Sequence, residues 1–178
     1  MKNPLKGPEE RPLTRGEIDM ARLVFRDSID YSRVKVFKKK YLPFGIQHKN
    51  TVIAPNGNIY CHPGESFKED FSSEGFNLKI LFIHEMAHVW QWQRGFPIKR
   101  HGFWTAITGG YTKESAYEYD SARDKGKTFP EFNFEQQAEI ISHYFAAKYL
   151  KDDRYLPELA FLEGVLKYLT GKGQAILS

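Results

Sequence analysis

The residues His84-Glu85-Met86-Ala87-His88 have the types and the spacing that chemistry on a metal ion requires. Positions four apart lie on the same face of a helix, so His84 and His88 can each turn one imidazole nitrogen toward a single ion. Glu85 lies about 100 degrees further round the helix, which keeps its carboxylate off the ion but close to an open coordination position. The motif therefore predicts a zinc ion, Zn2+, with Glu85 as the general base that activates a metal-bound water.

The surroundings of this motif distinguish a metal site from a chance match. Apolar residues occupy positions 80–83 before it, and Val89 and Trp90 follow it. Unpartnered histidines and a glutamate would be costly to bury among such side chains. A bound metal removes that cost, so the context favours metal binding over a pair of surface histidines.

A hydrolytic zinc site uses three protein ligands and leaves the fourth position for water. The chain offers many carboxylates and four further histidines, which are His48, His62, His101 and His143. The strongest candidate segment is Phe134–Tyr144, because it is the other strongly helical stretch with an acidic residue opening an apolar face. We expect a glutamate of this segment to complete a site between two packed helices.

Within that segment, residues 135–139 read Glu-Gln-Gln-Ala-Glu. This sequence resembles the Glu-x-x-Ala-Asp or Glu-x-x-Ala-Asn pattern on the second helix of gluzincin metallopeptidases. The resemblance implies that Glu135 is the third metal ligand and that Glu139 accepts the N–H of a ligand histidine. Because the chain has Glu where the pattern has Asp or Asn, the two roles could be exchanged, although Glu135 is the preferred ligand.

An amide hydrolase also needs a donor for the oxyanion that forms when water attacks the carbonyl. Five side chains are candidates: Tyr111, Tyr117, Tyr119, His143 and Tyr144. The sequence alone does not choose among them, and His143 and Tyr144 stand with Glu85 as the catalytic candidates. For His143 the first interpretation is a polar group at the rim of that helix, and stabilisation of the oxyanion is the alternative.

Length and cysteine content limit the possible classes of protein. A chain of 178 residues with 41% hydrophobic residues is long enough for one domain with a single core. Cys61 is the one cysteine, so intrachain disulfides and cysteine-rich zinc sites are excluded. There is no apolar leader and no stretch of membrane-spanning length, so we expect synthesis in the cytoplasm and no membrane span.

Charge gives no sign of a nucleic-acid partner. The 26 basic and 22 acidic residues are mixed along the chain, with a net charge of +4. The densest basic run, Lys38-Lys39-Lys40, is of a kind that is usually solvated. We therefore expect no nucleic-acid binding.

The sequence predicts a mainly helical α+β fold, with residues 1–12 as a flexible arm and residues 13–178 as one zincin-like domain. The predicted elements are a helix from the capping box at 14–17 to residue 28, a strand at 34–37, and helices at 77–94, 134–150 and 156–169, the last ended by Gly171. Residues 95–130 are expected to form a surface excursion with a short helix at 114–123.

A β-hairpin is predicted at Thr51–Cys61, because Asn56-Gly57 between two apolar runs is typical of a type I′ turn. A small β-hairpin or sheet would then lie beside the active helix. Its edge could pair with an extended substrate through the main chain. Alternatively, the hairpin merely covers the helix.

Three segments carry a likeness to a known group of proteins: Pro55–Tyr60, Ile83–Gln91 and Phe132–Ile140. They resemble bacterial Vgr-related and Rhs-element-associated zinc metallopeptidases over residues 30–150. The resemblance implies an association with type VI secretion, as a delivered effector or as an accessory. Delivery by such an apparatus would agree with the lack of a signal peptide.

Together these patterns predict a zinc metallopeptidase that hydrolyses an amide bond in a peptide or protein substrate. One alternative is a metal-stabilised adaptor or binding protein of a secretion spike without catalytic activity. A second is a hydrolase of the peptide stem of peptidoglycan. The positive net charge and the aromatic share of 15% suit the second alternative but do not distinguish it.

Overall fold

The computed structural model describes residues 9–42, 47, 49–96 and 117–167. This part of the chain has four α-helices and one small sheet, as the sequence predicts for an α+β fold. The helices are α1 (Arg15–Phe25), α2 (Phe76–Gln93), α3 (Phe134–Phe145) and α4 (Leu159–Leu166), and the strands are β1 (Glu10–Pro12), β2 (Lys35–Phe37) and β3 (Ile59–Tyr60).

The N-terminal segment is more ordered than its composition suggests. Residues 10–12, predicted to belong to a flexible arm, form β1 and pair antiparallel with β2. Arg11 fastens this strand, since its guanidinium donates two hydrogen bonds of 2.8 and 2.7 Å to the buried carboxylate of Glu17. A specific contact 6 residues away therefore overrides the proline-rich, charged composition. Residues 1–8 lie outside the described residues.

Helix α1 begins where its capping box predicts. The Thr14 side chain accepts the Glu17 backbone N–H, and the Glu17 carboxylate accepts the Thr14 N–H. Two amides that a helix start leaves unpaired are thereby satisfied. The helix ends at Phe25, before the predicted Ser28, because Arg26 adopts a positive φ of 50°.

The sheet differs from the predicted hairpin. Its strand order is β1-β2-β3, and β3 pairs parallel with β2. The hairpin is reduced to a single antiparallel bridge between Ile53 and Tyr60. In the turn, Gly57 has a positive φ of 81° whereas Asn56 does not, so the turn is not type I′. The reason is packing, since Gly57 lies against the indole of Trp92 on α2.

Helices α2 and α3 pack against each other at the centre of the core. The middle of α2 is buried on all sides, from Phe82 to Gln91, in agreement with its predicted apolar character. Asn133 caps α3 in a reciprocal pair with Gln136. These two helices are the elements predicted to hold the metal ligands.

The end of α3 has a feature that the sequence did not predict. Residues 146–150 form a π-helical turn, and Lys151 then adopts a left-handed conformation with φ of 55°. This reversal returns the chain toward α3 through a 3₁₀ turn at Leu156–Glu158, before α4 begins. The predicted end of the last helix at Gly171 lies outside the described residues.

The predicted excursion at 95–130 is described in part, because residues 97–116 lie outside the described residues. The short helix predicted at 114–123 does not extend over 118–123, where irregular chain leads into turns. The buried Asp124 carboxylate organises these turns by accepting from Arg123, Lys127 and the Asp120 amide. Across the described ranges, the helices are too short or too polar to cross a membrane.

Candidate metal centre

Two histidines of α2 and one glutamate of α3 converge in the core. The Nε2 atoms of His84 and His88 are 3.2 Å apart. Glu135 Oε2 lies 3.1 Å from His88 Nε2 and 3.4 Å from His84 Nε2. All three side chains are buried, with exposed fractions of 4–8%. Within the described part of the chain, these residues form the group whose ligand atoms could share one metal ion.

The second carboxylate of α3 occupies a different place. Glu139 Oε1 lies 3.4 Å from His84 Nδ1, the nitrogen on the far side of the ring from the convergence point. Its other oxygen, Oε2, lies 2.8 Å from His143 Nε2. Glu135 and Glu139 are one helical turn apart, so they approach the two nitrogens of the same imidazole from opposite sides. This is the arrangement that the preferred alignment implies.

His88 is oriented by a residue that the sequence analysis did not assign. Its Nδ1 lies 2.9 Å from Gln91 Oε1, one turn further along α2. The Gln91 amide nitrogen donates in turn to Gln137 Oε1 and to the backbone carbonyl of Phe134, both on α3. The sequence could have indicated this role, because a glutamine three residues after His88 lies one helical turn further along the same face. Gln91 thereby leaves His88 Nε2 directed toward His84 and Glu135.

The electrostatics of the site follow from its burial and its charges. Burial alone would raise the pKa of Glu135, but His88 and His84 hold it well below its usual range. Burial alone would lower the pKa of His88, but the Glu135 carboxylate outweighs it and raises this pKa above its usual range. Without a metal, the two groups therefore form an ion pair.

Glu85 differs from both of the other carboxylates. Burial raises its pKa to about 7, against the opposing charges of His84 and His88. It accepts the backbone N–H of Ala54. Its Oε2 atom is buried and has no hydrogen-bond partner among the described residues. A buried acceptor of this kind is costly unless a bound molecule donates to it.

An open cleft of about 430 Å³ leads to these side chains. It is lined by the segment before the Ile53 bridge, by one face of α2, by part of α3 and by two tyrosines. The lining residues are Asn50, Thr51, Val52, Asn77, Ile80, Leu81, His84, Glu85, Tyr117, Glu139, Ser142, His143 and Tyr155. The first limb of the predicted hairpin thus borders the cleft, although it is not a strand.

The structure separates the tyrosines proposed as oxyanion donors. Tyr117 lines the cleft, and its ring centroid lies 6.2 Å from that of His84. Burial and the nearby Glu135 carboxylate raise its pKa, so its hydroxyl stays protonated. The Tyr119 hydroxyl is already engaged by His143 and Glu158, at 2.8 Å each. Tyr111 lies outside the described residues.

The two predicted catalytic donors of α3 have other positions. Tyr144 does not line the cleft, and its buried ring packs edge-on against Tyr149. One residue along a helix turns the side chain about 100 degrees, so Tyr144 lies away from the face of His143, and its catalytic role stays a prediction. His143 lines the cleft, but its two nitrogens face Glu139 and Tyr119. In this arrangement neither nitrogen is available to a substrate oxyanion.

Among the other histidines, His62 lies apart from the converging ligands. Its Nδ1 accepts the Gly64 backbone N–H at 3.2 Å, within a surface turn. His48 and His101 lie outside the described residues.

Comparison with known proteins places this architecture in a family. No protein-family model matches the chain. The solved effector domain of Pseudomonas aeruginosa VgrG2b is 36% identical and superposes with a TM-score of 0.67, over 89% of this chain and 88% of that one. The chain belongs to the family of the VgrG2b effector domain.

The same family member is found among curated proteins. The type VI secretion system spike protein VgrG2b of P. aeruginosa is 40% identical over 153 residues, which are 81% of this chain. The chain spans 14% of the length of that spike protein. Membership of the VgrG2b effector-domain family confirms the link to type VI secretion that the sequence resemblance implied.

Proposed function

We propose that this chain is a zinc-dependent peptidase that a type VI secretion apparatus delivers as an effector. One observation supports it most strongly: two imidazole nitrogens and one carboxylate oxygen converge beside a buried glutamate with an unpartnered oxygen. On this proposal the domain is zincin-like, with α2 carrying two ligands and the general base and α3 carrying the third ligand.

The residues fit a zinc ion. Zinc bonds of about 2.0–2.1 Å place tetrahedrally arranged ligands roughly 3.3 Å apart. The ligand atoms of His84, His88 and Glu135 are 3.1–3.4 Å apart. Two imidazoles and one carboxylate are also a donor set that catalytic zinc sites use. The unpartnered Oε2 atom of Glu85 could accept a hydrogen bond from a molecule bound at this site.

His84, His88 and Glu135 would hold the ion. Zinc in such a site supplies Lewis acidity, which lowers the pKa of a water and polarises a carbonyl. Glu85 takes the proton of the attacking water on its unpartnered oxygen and passes it to the leaving amine. Tyr117, which remains protonated in the cleft wall, donates to the oxyanion.

The cleft explains how a peptide could reach these groups. Residues 50–52 border it as irregular chain, two residues before Ala54, whose N–H binds Glu85. An extended peptide lying along this segment would be held through main-chain groups, with modest selectivity for side chains. This supports a peptide or protein as the substrate.

The activity is tested by Glu85→Gln, which keeps the size of the side chain but removes its basicity. The exposed Glu69 provides the matched control, as Glu69→Gln. Casein and purified sacculi serve as substrates, and zinc content is measured in parallel. We expect Glu85→Gln to retain zinc and to lose at least about a hundredfold in turnover, while Glu69→Gln matches wild type. Equal turnover by Glu85→Gln would reject the peptidase.

The two substrates distinguish the remaining alternatives. Cleavage of sacculi alone would identify a hydrolase of the peptidoglycan stem peptide, and cleavage of casein would identify a protease. Zinc binding with neither activity across a panel of peptides would favour the metal-stabilised adaptor.

The delivery step rests on the relative, whose name describes a spike protein of the type VI system. It is tested in a donor strain that makes the full protein, with a sensitive neighbour as recipient. We expect killing that requires both an intact secretion apparatus and Glu85. Killing that persists after the apparatus is disabled would reject delivery by this route.

A further inference from the structure

A network of side chains extends from the candidate metal centre to the C-terminal part of the chain. Beyond Glu139, His143 continues it, since His143 Nε2 faces Glu139 at 2.8 Å and His143 Nδ1 lies 2.8 Å from the Tyr119 hydroxyl. Tyr119 donates in turn to Glu158 Oε2 at 2.8 Å. We call Glu139, His143, Tyr119 and Glu158 the His143 network.

The pattern of donors and acceptors gives this network a direction. An ionised carboxylate only accepts hydrogen bonds, so the single hydroxyl proton of Tyr119 points to Glu158. The Tyr119 oxygen then accepts the Nδ1–H of His143. Burial and the hydrogen bond to Glu158 raise the pKa of Tyr119, so it remains a neutral phenol. The His143 ring is thereby held from one side by Tyr119 and from the other by Glu139.

Aromatic packing fixes the same two rings. His143 stacks on Tyr155, with ring centroids 4.1 Å apart and planes 23° apart. Tyr119 stacks on Phe161 of α4, with centroids 5.7 Å apart. The π-helical turn and the left-handed Lys151 return the chain so that Tyr155 reaches His143 on α3 and Glu158 reaches Tyr119. π-helical turns inside helices are frequent at functional sites.

We propose that Tyr119, supported by Glu158, is a positioning residue of the metal centre that acts on it through His143. His143 orients the Glu139 carboxylate, and that carboxylate orients the ring of His84 by its Nδ1 atom. The inference rests on the proposed function, but it goes beyond it, because it makes Tyr119 and Glu158, which lie outside α2 and α3, part of the site. Hydrogen-bond partners behind a ligand histidine commonly tune metal affinity.

Tyr119→Phe removes one hydroxyl and keeps the ring stacked on Phe161. Tyr149→Phe is the matched control, because the exposed Tyr149 hydroxyl donates to the Leu23 carbonyl and Tyr149 does not line the cleft. Zinc affinity is measured on the full chain by competition with a chelator. Removing a direct partner of a ligand typically costs 10–100-fold in affinity. Because Tyr119 acts two contacts further out, we expect a loss of about three- to tenfold.

A double-mutant comparison of Tyr119 and His143 distinguishes a positioning role of Tyr119 from a general effect on protein stability. His143→Ala should also weaken zinc binding, and Tyr119→Phe should then cause no further loss in the His143→Ala background. The visible spectrum of the cobalt-substituted protein, which reports ligand orientation, should change in Tyr119→Phe but not in Tyr149→Phe. Glu158→Gln, whose amide oxygen can still accept the phenol, should retain more affinity than Glu158→Leu.

The outcomes distinguish this inference from the proposed function. If wild type binds no zinc, both are overturned. If wild type binds zinc and Tyr119→Phe has the same affinity and cobalt spectrum as Tyr149→Phe, the positioning role alone is overturned. Additive losses for Tyr119→Phe and His143→Ala would also overturn it, since the hydroxyl would then act by another path.

Discussion

At the scale of single residues, the site is defined by which atom of each side chain faces which neighbour. The sequence predicted the residue types and the helices that carry them, because a four-residue spacing fixes a helix face. It left the roles of Glu135 and Glu139 open, since both lie on one face of α3. Glu135 lies beside His84 Nε2 and Glu139 beside His84 Nδ1, which supports Glu135 as the proposed ligand. Tyr144, the next residue after His143, falls on another face of α3 and does not line the cleft.

The two glutamates should respond differently to truncation. Glu139→Ala removes the group facing His84 Nδ1 but leaves the three converging atoms, so we expect zinc to bind about 10–100-fold more weakly. Glu139→Gln, which keeps an acceptor oxygen, should lose less. The measurement is zinc affinity by chelator competition. Complete loss of zinc in Glu139→Ala, with retention in Glu135→Ala, would show that the roles are exchanged.

Tyr117 should contribute to catalysis without contributing to metal binding. Tyr117→Phe removes the proposed oxyanion donor, and we expect kcat to fall about 10²–10³-fold with little change in KM. Zinc content should remain at the wild-type value. Steady-state kinetics on a fluorogenic peptide would measure both constants. A change confined to KM would assign Tyr117 to substrate binding and not to the oxyanion.

The His88–Glu135 ion pair predicts how metal affinity depends on pH. Although burial lowers the pKa of His88, Glu135 raises it to about 9 in the metal-free protein. Zinc requires the neutral imidazole, so below that pH it must displace a proton, and affinity should fall about tenfold per pH unit. Glu135→Gln removes the charge that raises this pKa and should flatten the dependence. An affinity of wild type that is constant from pH 6 to 8 would contradict this.

At the scale of elements, local signals predicted the helices well and the β structure less well. The reciprocal cap of Thr14 and Glu17 and the apolar run before His84 are local, and both helices begin close to their predicted positions. Non-local contacts determined the rest. The strand β1 pairs with β2 and Arg11 donates to the Lys68 carbonyl, while Gly57 packs against Trp92 and distorts the hairpin turn. The π-helical end of α3 has no sequence signature that pattern reasoning detects.

The contact of Gly57 with α2 should matter for stability and for the site. Its φ is 81°, and an added Cβ would lie 2.5 Å from Trp92 Cδ1. Gly57→Ala should therefore lower the free energy of unfolding by at least about 1–2 kcal/mol. Because the same loop supplies the Ala54 N–H to Glu85, turnover of the folded fraction should fall as well. Urea unfolding measures the loss of stability, and steady-state kinetics at urea concentrations below the unfolding transition measure the loss of turnover. Gly64→Ala is the control.

Gly64→Ala is a suitable control because there is room for a Cβ atom at this position. Gly64 has a negative or extended φ, and an added Cβ would make only ordinary contacts with the His62 ring at 3.9 Å. We expect Gly64→Ala to change stability little. A Gly57→Ala variant as stable and as active as Gly64→Ala would contradict the proposed docking of this loop.

At the scale of the whole molecule, the metal centre joins the two central helices, so metal binding and folding should be linked. A ligand that binds only the folded state stabilises it by about 2.7 kcal/mol when present at a hundred times its Kd. Chelation should therefore lower the Tm of wild type by several degrees. Glu135→Ala, which lacks a ligand, should unfold at a temperature independent of chelator. An equal effect of chelator on both proteins would indicate a metal bound elsewhere.

The family relationship fits this picture of a compact functional unit that a larger protein can carry. The chain matches nearly the whole of the solved VgrG2b effector domain but a small part of the complete spike protein. The sequence resemblance predicted the secretion link, because the residues around the His-Glu motif and Glu135 are distinctive. Substrate selectivity depends on the shape of the cleft, which the sequence alone does not reveal.

The most direct test of the central claim is the zinc content of purified protein, measured by elemental analysis on wild type, Glu85→Gln and Glu135→Ala, with turnover assayed on the same samples. The account predicts about one zinc per chain in wild type and in Glu85→Gln, turnover in wild type alone, and little zinc in Glu135→Ala. Wild-type protein that binds no zinc when zinc is supplied, or Glu85→Gln that turns over substrate at the wild-type rate, would contradict it.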